Sequence, residues 1–166
     1  SPKFQGSLIS RMNYKGFDFS FQLNYSFGGK IYGDNLSYDE QIGGSGFDNT
    51  TNYVYNNRWQ KPGDKTDVPR YVFLDGSAAN NASTRFLMNG RYLKIRSLSL
   101  GYTLPKDLVR KAWLNSARVF VTADNLYTFC AKDFRGFDPA GIGANGVQWW
   151  NYPTPRNVMF GVTVGF

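Results

Sequence analysis

The sequence predicts an all-β chain of antiparallel strands, on three observations. Aromatic residues make up 17% of it, with 14 Phe and 11 Tyr, and aromatic side chains favour strands. Only Glu40 is a Glu and the other eleven acids are Asp, so a good helix former is scarce and a turn former abundant. Several stretches alternate with a period of two, which gives a strand two different faces. At 166 residues the chain is long enough for one domain, residues 1–166, and its core.

The first strand is expected over 3–14, with Phe4, Gly6, Leu8, Ser10, Met12 and Tyr14 on one face. Tyr14-Lys15-Gly16-Phe17 then reads as a tight turn, Gly16 being free to take positive φ. The returning strand, 17–26, alternates cleanly: Phe17, Phe19, Phe21, Leu23 and Tyr25 against Asp18, Ser20, Gln22, Asn24 and Ser26. From Gly33 to Ser83 no sustained pattern appears, and Gly43-Gly44-Ser45-Gly46 and Lys61-Pro62-Gly63-Asp64 read as turns, so a long structureless loop is expected there.

A third strand is expected over 85–104, with Leu98, Leu100, Tyr102 and Leu104 on its apolar face. Upstream, Leu93 and Ile95 have the opposite parity, which implies a bulge near Arg96-Ser97 or a change of surroundings. Pro105 ends this strand, and 106–114 is amphipathic enough for one or two helical turns. The fourth strand, 117–129, carries Val119, Val121, Ala123, Tyr127 and Phe129 on one face, interrupted by Asn125. A second long loop, 130–155, precedes the last strand, 156–166, where Val158, Phe160, Val162, Val164 and Phe166 alternate with mostly small residues.

A strand with one apolar face fits either a soluble sandwich, with that face on a core, or a membrane barrel, with that face on lipid. The connections favour the barrel. They alternate short, long, short, long, so both long loops fall on one side, as in outer-membrane barrels. Five strands are too few to close a channel and leave two edges. The chain begins Ser1-Pro2, and it reads as the carboxy-terminal portion of something longer.

Composition narrows the function. There is no His, and Cys130 is the single Cys, so a His-based triad, a Cys/His zinc site and an internal disulfide are excluded. Cys130 is expected as a reduced thiol without assigned role. The net charge is +7, but Lys and Arg are spread along the chain without a helical basic stripe, so no nucleic-acid partner is expected. Asp124, Asp133 and Asp138 lack the spacing of a calcium loop and read as turn formers. Arg11, Arg96 and Arg118 are expected at a lumen or rim. No catalytic residue, metal site or cofactor is assigned.

Several stretches resemble the carboxy-terminal end of the SusC/RagA family of TonB-dependent outer-membrane transporters of Bacteroidetes. They are Tyr14-Lys15-Gly16-Phe17-Asp18-Phe19-Ser20, Asn24-Tyr25-Ser26-Phe27-Gly28-Gly29-Lys30-Ile31-Tyr32, and Arg58-Trp59-Gln60-Lys61-Pro62-Gly63-Asp64. Further on come Asn89-Gly90-Arg91-Tyr92-Leu93-Lys94-Ile95-Arg96, Leu100-Gly101-Tyr102-Thr103-Leu104-Pro105, Asp124-Asn125-Leu126-Tyr127-Thr128, Gly136-Phe137-Asp138-Pro139 and Tyr152-Pro153-Thr154-Pro155-Arg156. They follow family order over nearly the whole chain.

The resemblance implies the last five strands of a plugged barrel of about 22 strands. It implies import of an oligosaccharide or peptide with a SusD-like surface lipoprotein as lid. It also implies coupling to TonB through a region upstream of these residues. Phe166 then resembles the terminal aromatic read by the barrel-assembly machinery. The residues expected to face outer-membrane lipid are Phe17, Phe19, Phe21, Leu23, Leu98, Leu100, Tyr102, Val158, Phe160, Val162 and Val164. Trp59, Trp149 and Trp150, in the predicted outer loops, are candidates for ligand or lid contact. The alternatives are a secreted glycan-binding β-sandwich, or a surface hydrolase with an Asp pair.

Overall fold

The computed structural model describes residues 1–44, 49–74, 76, 79, 81–143 and 145–166. Five long strands form one antiparallel sheet: β1 (Phe4–Tyr14), β2 (Phe17–Phe27), β5 (Tyr92–Thr103), β6 (Ser116–Cys130) and β8 (Asn157–Gly165). Their spatial order is β1-β2-β5-β6-β8, so every neighbour in the sheet is the next long strand in sequence. The expected strands are all present, with ends within two residues except for the third. Its expected first residues, Arg85 and Phe86, lie in a 3₁₀ turn (Thr84–Phe86), and Leu87–Asn89 form a separate short strand, β4.

The β1–β2 turn has positive φ at both central residues, Lys15 at 46° and Gly16 at 87°, which matches the right-handed twist of the flanking strands. The oxygen of Thr103 lies 2.8 Å from where a Cβ on Gly16 would sit, so glycine is required there for space as well as for φ.

The parity switch in β5 is a bulge. Gln22 opposes Ser97 and Leu23 opposes Ile95, leaving Arg96 as the extra residue against β2. On the other side Arg96 lies opposite the stretch between Asp124 and Tyr127. Asn125 takes φ 54° there, and its Oδ1 accepts a 2.9 Å hydrogen bond from the Arg96 guanidinium. The bulge returns Leu93 and Ile95 to the same face as Leu98 and Leu100.

The stretch expected to be structureless, 33–83, and the second long loop, 130–155, fold with their flanking residues into a cap. A second sheet of order β4-β3-β7 joins β3 (Lys30–Gly33), β4 and β7 (Val147–Gln148), with β3 and β7 parallel. Two six-residue helices, α1 (Asp34–Asp39) and α2 (Asn52–Asn57), belong to the same region, and Thr51 caps α2 through the Val54 N–H. Lys61-Pro62-Gly63-Asp64 is the expected turn: the Asp64 carboxylate accepts from the N–H groups of Gln60 and Lys61, both at 3.0 Å. Of the Gly43-Gly44-Ser45-Gly46 run, Ser45 and Gly46 lie outside the described residues.

The buried core sits in the cap. One cluster contains Ile31, Leu36, Phe86 and Met88, and another Ile42, Val54 and Val68. At the opposite end of the long sheet, β5 and β6 are joined through the short helix α3 (Lys106–Arg110), which packs against β6.

Candidate functional site

The five-stranded sheet is a wall with two chemically different faces. Residues opposite each other across a ladder share a face. The ladders align Tyr14, Phe17, Tyr102, Val119 and Val162 in one row, and Met12, Phe19, Leu100, Val121 and Phe160 in the next. A third row runs through Ser10, Phe21, Leu98, Ala123 and Val158. All eleven residues named as lipid-facing therefore lie on this one face, and each is exposed or half-buried.

Aromatic rings concentrate at both ends of that face. At the short-turn end Phe17 and Tyr102 have ring centroids 4.4 Å apart. At the cap end Tyr25 pairs with Phe27 at 5.8 Å and Tyr127 with Phe129 at 4.7 Å. Between these ends the face is aliphatic, Met or Phe, apart from Ser10 on the edge strand β1.

The other face is hydrophilic. Ser7 donates to Asn24, Gln22 donates to the same oxygen, and Ser99 and Thr122 share a 3.2 Å hydrogen bond. Asp18 of β2 and Arg118 of β6 reach each other across β5, with Nη2–Oδ2 at 2.6 Å and Nε–Oδ1 at 3.0 Å. The residue between them is Gly101, where a Cβ would come within 2.3 Å of the guanidinium and 2.5 Å of the carboxylate. Only a residue without a side chain lets the bidentate pair close. Arg11 shares this face opposite Ser20, while Arg96 marks the bulge.

The polar face is tied to the cap by Lys94, whose Nζ lies 2.7 Å from Asp138 Oδ2, with both side chains at least 90% buried. The second oxygen of Asp138 accepts from the Ala140 N–H and starts the 3₁₀ turn Pro139–Gly141. Asp133 accepts from the Asn89 N–H. Asp138 thus does the turn-forming work expected of it, whereas the Asp133 carboxylate ties its segment to β4, 44 positions away; among the described residues no group of three or more Cys, Asp or Glu could hold a metal ion.

Within the cap, Glu40 is 2% exposed and faces the guanidinium of Arg135 at 3.2 Å. The Glu40 carbonyl accepts from Arg85, and Arg135 donates to the Arg85 carbonyl at 2.8 Å. The Arg135 guanidinium also lies 4.4 Å from the ring centroid of Tyr53, whose hydroxyl donates to Asp67. Burial pushes the Glu40 carboxyl above its ordinary range, with Arg135 and Arg85 pulling it back. Burial likewise lowers Arg85, and Glu40 opposes that shift. Burial raises the Tyr53 phenol. Residue patterning missed this network because its members are scattered. The one signal was that Glu40 is the only Glu in the chain.

The three tryptophans expected to contact ligand or lid, Trp59, Trp149 and Trp150, do not converge. Trp59 follows α2, is half-buried, and its backbone N–H donates to the Val68 carbonyl. Trp149 and Trp150 follow β7 and are 50% and 59% exposed. Trp150 has Tyr38 as its ring partner, at 6.4 Å. Cys130 is a free thiol at the exposed end of β6. Among the described residues no helix is long and apolar enough to cross a membrane, which says nothing about crossing with strands.

No protein-family model matches the chain. Curated relatives do. TonB-dependent receptor P3 of Formosa agariphila is 30% identical over the whole of this chain, which spans 16% of that protein. TonB-dependent receptor P39 of the same organism is 30% identical over 98% of the chain, again 16% of its own length. TonB-dependent receptor SusC of Bacteroides thetaiotaomicron is 28% identical over 96% of the chain and 15% of its own length. Among solved structures, the RagAB peptide importer in its closed-closed state superposes with a TM-score of 0.80 and 26% identity, covering 100% of this chain and 17% of that one. Its open-open state gives 0.78 at the same identity and coverage. The chain matches a segment of the β-barrel of SusC/RagA-like TonB-dependent receptors, about a sixth of their length.

Proposed function

We propose that this chain is the closing, carboxy-terminal part of the barrel wall in an outer-membrane nutrient importer, and that it has no reaction chemistry of its own. The carrying observation is the apolar face itself: five strands wide, exposed, and bounded at both ends by aromatic rings. In a bilayer such a face is solvated by acyl chains, with the aromatic rings at the two interfaces. The hydrophilic face then lines the water-filled interior. A soluble β-sandwich would need a second sheet over the apolar face, and the second sheet here lies in the cap instead.

In this reading the eleven apolar-face residues meet outer-membrane lipid, the cap lies outside the cell, and α3 lies at the periplasmic end. The remaining barrel strands pair with the open edges of β1 and β8. Trp149 and Trp150, exposed on the cap, contact the imported oligosaccharide or peptide, or a SusD-like lipoprotein lid; Trp59 is a weaker candidate because it is half-buried. TonB engages a part of the receptor outside this segment. Phe166, 87% exposed beyond β8, is the contact for the barrel-assembly machinery, and its deletion should lower the amount of receptor in the outer membrane.

The test is cysteine labelling of the full-length receptor in intact outer membranes, in a background where Cys130 is Ser. Cysteines replacing Phe160 or Val121 should resist a water-soluble maleimide, while one replacing Thr122 or Ser20 should react. Equal reaction on both faces would overturn the assignment of lipid and water.

A further inference from the structure

The link between β5 and β6 carries features that the wall and cap do not explain. It lies at the short-turn end of the sheet, beside Tyr102 and beside the end of β8. Val109, 3% exposed, anchors α3, and the Leu114 N–H closes the link on the Val109 carbonyl at 3.1 Å. The Leu104 N–H donates to the Ala117 carbonyl at 2.9 Å, so both ends of the link are fixed to the sheet.

What this anchored link presents outward is apolar and basic. Trp113 is 93% exposed, the most exposed of the four tryptophans where Trp149 and Trp150 are about half so. Leu108 is 55% exposed. Trp113 takes φ 56°, a left-handed conformation unusual for a bulky residue. Lys106, Arg110 and Lys111 are exposed in the same link, where Asp107 is the one carboxylate, and none of the three cations has an ion-pair partner among the described residues. A short exposed link that carries an indole, an aliphatic side chain and three cations matches the boundary between acyl chains and anionic headgroups, where Trp sits at the interface and Lys and Arg meet phosphate. The link also continues the end of the apolar face marked by Phe17 and Tyr102.

Resting on the barrel reading above, we propose that the β5–β6 link is an interfacial foot: Trp113 and Leu108 enter the periplasm-facing leaflet, and Lys106, Arg110 and Lys111 hold the headgroups of anionic phospholipid. The commitment is to lipid rather than protein because the basic and apolar groups are displayed on a short anchored turn contiguous with the apolar face of the wall.

The test uses the full-length receptor in nanodiscs of phosphatidylcholine alone or mixed with phosphatidylglycerol. The emission lost in Trp113→Leu isolates this indole, and it should be quenched by lipids brominated on the acyl chain near the headgroup. Trp113→Phe serves the same purpose should the first variant fail to assemble. A bimane label on Phe160→Cys, with Cys130→Ser, reports separately on the apolar face. Enrichment of phosphatidylglycerol over phosphatidylcholine around the receptor should fall roughly fivefold for each of Lys106, Arg110 and Lys111 changed to Gln. Quenching at both sites with that loss supports the foot. A quenched Phe160 label with an unquenched Trp113 overturns the foot and leaves the barrel reading standing. No quenching at Phe160 overturns the barrel reading and the foot with it. Quenching at both sites with unchanged lipid enrichment in the Gln variants overturns the headgroup assignment.

Discussion

The wall exposes Phe160 at 83% and Val162 at 69%, whereas the cap buries Phe86 and Val54 at 0% and Val68 at 1%. The two regions thus use apolar residues in opposite ways. In the cap, aliphatic and aromatic side chains leave water by packing on each other, as in any soluble core. In the wall they point away from the chain, and the sheet is held by its ladders and by cross-strand pairs on the polar side. In the barrel reading proposed above, a single chain carries both solutions because its strands and its connections meet different solvents.

Four experiments break or sharpen that contrast. The largest effect is expected in the cap: Phe86→Ala should cost about 3–5 kcal/mol, read as loss of amide exchange protection in the cap while the wall stays protected. Equal loss in both regions would show them to be one cooperative unit. Next, Val162→Arg or Phe21→Arg should cost about 2–4 kcal/mol in a bilayer if the residue sits near mid-depth, measured by reversible folding into vesicles. Arg at the polar-face position Thr122 should cost far less in the same assay.

A smaller effect is expected from Gly101→Ala, whose methyl group would push Arg118 and Asp18 apart. It should weaken the wall, and Asp18→Asn added to Gly101→Ala should cost less than Asp18→Asn alone. Full additivity would mean that the pair contributes nothing through Gly101.

The smallest effect is electrostatic. Glu40 has its folded-state pKa raised above the ordinary value of 4.5, so the folded cap binds this proton more readily than the unfolded chain. Its contribution to cap stability is therefore present below the ordinary value and is lost as pH rises through the raised one. Acidification across that window should modestly stabilise the cap, and Glu40→Gln should remove that dependence. An unchanged pH profile in the Gln variant would assign the effect to another group.

The wall was legible in the sequence and the cap was not, for physical reasons. A strand between two solvents repeats its environment every second residue, so Phe17, Phe19, Phe21 and Leu23 declare a face without reference to anything distant. Even the bulge at Arg96 left a trace, in the parity change from Ile95 to Leu98. The cap core instead joins Ile31 and Leu36 to Phe86 and Met88, about fifty positions later, through helices of six residues that are too short to show a helical period. Its polar members are equally dispersed, Glu40 and Arg85 meeting Arg135 from three separate segments. The tryptophans were found by residue type, but type could not tell that Trp59 is half-buried while Trp150 stands beside Tyr38.

The bond across Gly101 bears on how such a wall is assembled. Asp18, Gly101 and Arg118 lie on three successive strands, and the contact closes only when both ladders have their native alignment. A shift of one residue in either ladder would reverse a strand's faces and turn a charged group toward hydrocarbon. In the barrel reading proposed above, native register therefore neutralises these charges on the interior face, and the pair reports in a single contact that three strands are aligned.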